Sequence, residues 1–117
     1  MKNQTFLSSI RIAFFGIITA FKKERNFRIQ CCIALVVLLL AQWFHISVVE
    51  NCIVIITILV VLSLELINSQ IEKFLDLINP ELHPKVKIIK DFSAGAVLLS
   101  ALGSIVIGVL IFLPHML

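Results

Sequence analysis

Apolar residues gather into three long runs separated by short polar segments. The first runs from Ile29 to Ile46, 18 residues broken only by Gln30, Gln42 and His45. As a helix it is just long enough for roughly 30 Å of hydrocarbon, and Trp43 near its end suits a membrane–water boundary. The second run starts at Cys52 and continues, with polar interruptions after Leu64, to Ile71. Its Ile and Val content would suit a buried strand. A lone strand leaves backbone groups unpaired in lipid, so its length argues for a helix. The third run, Ala94–Leu113, has 20 residues and no charge. Gly95, Gly103, Gly108, Ser100 and Ser104 give it narrow surfaces for close helix packing, and Pro114 is expected to end it. The pattern predicts spans at 29–46, 52–71 and 94–113.

The first 28 residues read differently. Phe6, Leu7, Ile10, Phe14, Ile17, Ile18 and Phe21 recur at steps of three and four, with Lys2, Ser8 and Arg11 between them and Lys22 and Lys23 at the end. That spacing predicts an amphipathic helix over about 5–22 lying on the bilayer surface. It lacks the continuous apolar stretch and small-residue cleavage site of a signal peptide. The segment Asn79-Pro80-Glu81-Leu82-His83-Pro84 has turn composition. No internal repeat is visible.

Composition supports the same picture. The chain is 60% hydrophobic and 15% charged, against about 45–50% and 25% in soluble domains. A chain of 117 residues cannot bury that much apolar surface in a water-solvated core. This excludes an ordinary soluble domain, a disordered chain and a disulfide-stapled miniprotein. The fold class is therefore an all-α membrane protein with a surface helix and three transmembrane helices in one domain, 1–117. Cys31, Cys32 and Cys52 lie in or beside apolar runs without metal-ligand spacing and read as packing or lipid-facing residues.

The net charge of +3 is read as topology rather than nucleic-acid binding. Lys2, Arg11, Lys22, Lys23, Arg25 and Arg28 precede the first span; Lys73, Lys85, Lys87 and Lys90 lie between the second and third. All ten basic residues thus fall on one side of a three-span chain. The positive-inside rule makes that side cytoplasmic, with the N-terminus inside and the C-terminus outside. Glu50 falls in the outer connection and reads as a solvated loop charge. His45, His83 and His115 are isolated and read as boundary residues.

Glu65 is the exception among the acids, because it falls inside an apolar helix. An ionisable group there is costly and by default a functional candidate. At 100° per residue, Glu65, Asn68, Glu72 and Asp76 fall at about 0, 300, 340 and 20°, one stripe running from the bilayer toward the cytoplasm. Lys90-Asp91 stands where the third span leaves the cytoplasm, and Glu24-Arg25-Asn26-Phe27-Arg28 where the first enters. Carboxylates and an amide suit Mg²⁺, which is commonly shared with substrate phosphates. Lys and Arg suit phosphate oxygens, and a carboxylate at the bilayer edge suits a general base. The combination fits phosphoryl transfer from a nucleotide to a lipid alcohol. Plainer readings use the same residues. Glu65 can be a structural partner of Asn68, Glu72 and Asp76 a solvated face pairing with Lys73, Lys90-Asp91 an interfacial pair, and Glu24 a surface ion pair. A non-enzymatic membrane subunit, or an ion-conducting oligomer with Glu65 lining a polar path, is the alternative class.

The run Glu65-Leu66-Ile67-Asn68-Ser69-Gln70-Ile71-Glu72, followed by Asp76 and then by Lys90-Asp91 and Ser93-Ala94-Gly95-Ala96-Val97-Leu98-Leu99, closely resembles the prokaryotic diacylglycerol kinase family. Phe21-Lys22-Lys23-Glu24-Arg25-Asn26-Phe27-Arg28-Ile29 resembles that family's first block. The resemblance spans about residues 8 to 113. It implies a multi-pass homotrimer in the prokaryotic inner or plasma membrane that uses ATP and Mg²⁺. The substrate would be a membrane lipid alcohol, diacylglycerol or undecaprenol. By position, Glu65 matches the catalytic base, and Glu24 and Glu72 the carboxylates that bind metal with ATP. Asp76, Lys90 and Asp91 match nucleotide contacts, Asn68 the residue beside the base, and Arg28 a basic residue at the mouth of the first span. Gln30 is a departure: some members have a carboxylate there, and a neutral amide cannot supply that charge.

Overall fold

The computed structural model describes residues 5–78 and 83–117; Lys2 and residues 79–82 of the expected turn lie outside them. The described residues form four helices and no strand: α1 (Phe6–Lys23), α2 (Arg25–Trp43), α3 (Val48–Ile78) and α4 (Pro84–Met116). The last three are long and apolar enough to cross a membrane.

Each helix boundary has a local cause. Thr5 caps α1, its Oγ1 accepting from the Ser8 amide at 3.1 Å. One extended residue, Glu24, closes α1 and opens α2: its amide donates to Ala20 O at 2.7 Å, and its carbonyl accepts from the Arg28 amide at 3.0 Å. At the far end of α2, His45 adopts the left-handed conformation, φ 51°. The Ile46 amide reaches back to Ala41 O and the His45 amide to Gln42 O, both at 3.3 Å. This is a Schellman closure, and the contact expected between its flanking residues is present because Ala41 and Ile46 are both buried. The first span, expected to reach Ile46, therefore ends as helix at Trp43.

Glu50 is not a loop charge. It sits in the first turn of α3, its Oε1 accepting from the Ser47 amide at 3.0 Å while its own amide donates to Ser47 Oγ at 3.1 Å. This reciprocal capping box satisfies two otherwise orphaned donors. His83 caps α4, its Nδ1 accepting from the Lys85 amide at 3.1 Å, and Pro84 takes the first helical position. Pro114, expected to end the third span, lies inside the last turn of α4, which runs on to Met116. The ring removes only its own bond to the carbonyl four residues back, and the helix still closes its last turn, the Leu117 amide donating to Leu113 O at 3.2 Å.

α3 is the central helix. It packs against both α2 and α4, while α1 packs on α2. At one end of the bundle Ala41, Ile46, Val54 and Ile111 form a buried cluster. Phe44 and Phe112 meet edge to face above it, their centroids 6.2 Å apart. Elsewhere the apolar surface is open, including Leu39, Ile56, Ile67, Leu99 and Leu110. The chain exposes 8970 Å², where a soluble monomer of this size exposes roughly 6,400 Å². Such a surface is stable in hydrocarbon and not in water, and the chain is a membrane protein. α3 has 31 residues, about 46 Å of helix, so it extends well past a hydrocarbon layer of about 30 Å.

Candidate active site

The acidic stripe of α3 turns inward where α3 meets α2. Glu65, Asn68 and Ser69 are the buried polar residues of the described chain, Glu65 only 4% exposed. Glu65 Oε2 accepts from Nε2 of Gln30 on α2 at 3.4 Å. One turn along, Asn68 Nδ2 donates to Glu72 Oε1 at 3.4 Å. Asn68 Oδ1 and Gln30 Oε1 are buried without a hydrogen-bond partner. An ionised carboxylate in such a place costs several kcal/mol unless it is paired or fully hydrogen-bonded.

Glu24 reaches α3 because of where α1 breaks. As the single residue between two helices it projects toward α3, where its carboxylate forms an ion pair with Lys73. Arg28 fixes that junction. Its Nη1 donates to Phe21 O at 3.0 Å and to Lys22 O at 3.1 Å, the orphaned carbonyls at the end of α1. The guanidinium, expected at the mouth of the first span, is thus committed to the backbone at the end of α1.

A second group lies further along α3. Asp76 pairs with Lys90 of α4, joining the two helices. Asp91 pairs with Lys87 one turn before it, at 2.7 Å. Lys90 and Asp91, read together in the sequence, face different partners because neighbours on a helix diverge by about 100°. The structure thus joins Glu65 to Gln30, Asn68 to Glu72, Glu24 to Lys73 and Asp76 to Lys90, all along the face of α3 that carries the acids. Asp91 stays on the exposed side of α4.

No three His, Cys, Asp or Glu side chains among the described residues stand together as a closed metal cage. Magnesium does not need one: it keeps waters, takes one or two carboxylates and completes its shell with substrate phosphates. The donor set fits that habit, being hard oxygens throughout, with the amide oxygen of Asn68 buried and unpartnered.

Sequence reasoning assigned no task to Gln30 or Ser69 and did not pair Lys73 with Glu24. Gln30 carried a readable signal, as an amide inside an apolar run. The Lys73–Glu24 pair spans 49 positions and had none. From Gln30 a cavity of about 440 Å³ runs between α2, α3 and α4, past Leu62 and Ala101 to Phe112. Its wall is almost wholly apolar.

A family model described as prokaryotic diacylglycerol kinase matches residues 11–112. The chain is similar to an undecaprenol kinase of Bacillus subtilis, 40% identical over 95% of this chain and 90% of that protein. It is 36% identical to a diacylglycerol kinase of Synechocystis over 95% of its own length, and spans 64% of that longer protein. A diacylglycerol kinase of Escherichia coli K12 is 25% identical over 86% of this chain and 82% of the relative. A buried acid–amide stripe in a membrane helix, and a family match running through nearly the whole of it, lead to one conclusion: the chain belongs to the prokaryotic diacylglycerol kinase family of membrane lipid kinases.

Proposed function

We propose that the protein transfers the γ-phosphoryl group of ATP to the primary hydroxyl of a membrane lipid alcohol. The product is phosphatidic acid from diacylglycerol, or undecaprenyl phosphate from undecaprenol. The observation that carries this reading is Glu65, a carboxylate buried in a membrane helix with acids and cations ranked toward one end of the same helix.

In this reading Glu65 takes the proton of the lipid hydroxyl as its oxygen attacks the γ-phosphorus. The bond from that phosphorus to the β–γ bridging oxygen breaks and ADP leaves. Asn68 holds Glu72 beside the base. Glu24 and Glu72 would hold Mg²⁺ arriving with the nucleotide. Bound there, the ion would neutralise charge on the phosphate oxygens. Lys90 stabilises phosphate as a point charge, with Asp76 and Asp91 on the nucleotide side. Arg28 supports the site through the α1–α2 junction. The apolar cavity that begins at Gln30 gives the lipid's hydrocarbon chain a path to the carboxylate.

The ten basic residues set the N-terminus and this site in the cytoplasm and the C-terminus outside. α1 lies along the inner leaflet with Phe6, Phe14 and Ile17 toward the acyl chains. The largely uncovered α4 packs against neighbouring copies in a homotrimer, which closes the site's open wall. The direct test offers diacylglycerol and undecaprenol side by side to purified protein with Mg²⁺–ATP. Phosphorylation of either lipid supports the reading and names the substrate; phosphorylation of neither removes it.

A further inference from the structure

Beyond Gln30 the cavity between α2, α3 and α4 keeps an almost wholly apolar wall as far as Leu40 and Phe112. Two hydroxyls stand on that wall, and each gives its proton to its own helix. Thr57 Oγ1 donates to Ile53 O at 2.7 Å, and Ser104 Oγ to Ala101 O at 2.6 Å. A cavity without free polar groups stays dry and takes hydrocarbon. The mouth is different. There Gln30 Nε2 donates to Glu65, while Gln30 Oε1 is buried and accepts nothing. One polar end and one long apolar end match an amphiphile with a single tail.

Size limits what the cavity can hold. Along α2 its wall runs from Gln30 to Leu40, about 15 Å of helix, which is half of a hydrocarbon layer of about 30 Å. An apolar cavity of about 150 Å³ holds one benzene, so the 440 Å³ here holds roughly 18 carbon atoms. That is one chain crossing one leaflet, with no room for a second. Entry is from the side. Among the described residues α2 and α4 each pack on α3 and not closely on each other, and Ile33 and Ile105 on the wall are exposed. On α4, Ala101 and Gly108 lie about two turns apart and so fall on one line facing the cavity. A Cβ added at Gly108 meets no atom within 4 Å. Contacts within the chain therefore do not require glycine there, although glycine weakens a helix. What it leaves open is the deep half of the cavity.

We infer that the cavity seats one hydrocarbon chain of the lipid substrate, that a second chain goes unread, and that Gly108 sets the usable depth. The inference rests on the lipid hydroxyl reacting at Glu65. Burying a chain gains little here, because the bilayer is as apolar as the cavity. Selection comes from fit. A short chain leaves space unfilled and forfeits contacts, and a long chain in a narrowed cavity strains the wall. A diacylglycerol keeps its second chain in the bilayer, and a polyprenol its distal units.

The experiment measures kcat/KM in mixed micelles for the wild type, Gly108→Leu and Gly108→Val. The acceptors are monoacylglycerols and diacylglycerols with octanoyl or hexadecanoyl chains, and the prenols geraniol and undecaprenol. An octanoyl chain or geraniol stops short of Gly108; the longer partner of each pair reaches it. The wild type favours the longer partner and turns over monoacyl- and diacylglycerol of one chain length within about threefold of each other, because the second chain adds no contact. In Gly108→Leu the long-to-short ratio falls roughly tenfold, and in Gly108→Val roughly threefold. Gly108→Val decides if Gly108→Leu does not assemble. A ratio that keeps its wild-type value in the variants, whatever the absolute rate, overturns the inference, as does a wild type that needs the second chain. A lost or shifted elution volume in both variants overturns it too, since another copy of the chain then occupies that face. Failure of the wild type on every acceptor removes the proposed reaction itself, whereas activity with an unmoved chain preference removes only this inference.

Discussion

Arg28→Met tests how the site is held. The substitution keeps the aliphatic stem that covers α2 and removes the guanidinium that bridges two carbonyls of α1 at 3.0 and 3.1 Å. Hydrogen bonds from a charged donor contribute about 1.5–3 kcal/mol when buried. These are exposed and sit at a helix C-terminus, where a cation is worth about 0.3–1 kcal/mol. A combined loss of about 1.5 kcal/mol is reasonable, which is roughly tenfold in the opening equilibrium of the junction. The amides that report it are those of Glu24, bonded to Ala20 O, and Arg28, bonded to Glu24 O. Hydrogen exchange at these two positions should quicken roughly tenfold, while exchange along the centre of α3 is unchanged. Turnover falls by less, because most molecules still hold the closed junction. Arg28→Lys restores one contact at best, since an ammonium lacks the planar fork. Unchanged exchange at the junction would refute the assignment of Arg28 to α1.

Other outcomes follow from single contacts. Lys73→Ala releases Glu24, so the Mg²⁺ concentration for half-maximal turnover falls; a rise would mean that Lys73 serves the nucleotide instead. His45→Gly relieves a left-handed residue and raises stability by roughly 0.5–1 kcal/mol, whereas His45→Val lowers it, as thermal unfolding in detergent would show. Ser47→Ala removes half of the capping box and costs about 1 kcal/mol in the same experiment, without changing kcat.

The helices were largely legible because hydropathy over 18 or more residues is a long-range average that local detail cannot undo. The ends were less so. The halt at Trp43 depends on a backbone closure around His45, a residue with no strong preference for that shape. Pro114 was read as a stop, yet near a helix terminus it interrupts little. The Ser47–Glu50 capping box was present in the sequence as Ser-x-x-Glu and was hidden by counting Glu50 as a loop charge.

The site divides in the same way. Helical periodicity alone aligns Glu65, Asn68, Glu72 and Asp76, because they share one rigid element. Contacts between elements do not follow from spacing. Gln30 meets Glu65 across 35 positions, and Asp76 meets Lys90 of the next helix across 14. Glu24 owes its place to the break between two helices, and a single extended residue leaves little trace in a hydropathy pattern. Lys90 and Asp91 were grouped as neighbours in sequence, whereas helix geometry sends them apart.

The central claim is that a carboxylate buried in the membrane takes the proton of the lipid alcohol. Glu65→Gln preserves size and hydrogen bonding while removing the base. Transfer of ³²P from labelled ATP to lipid should fall by roughly 10²–10⁴-fold, with Mg²⁺–ATP still bound and the helices intact. Turnover at the wild-type rate would contradict the account.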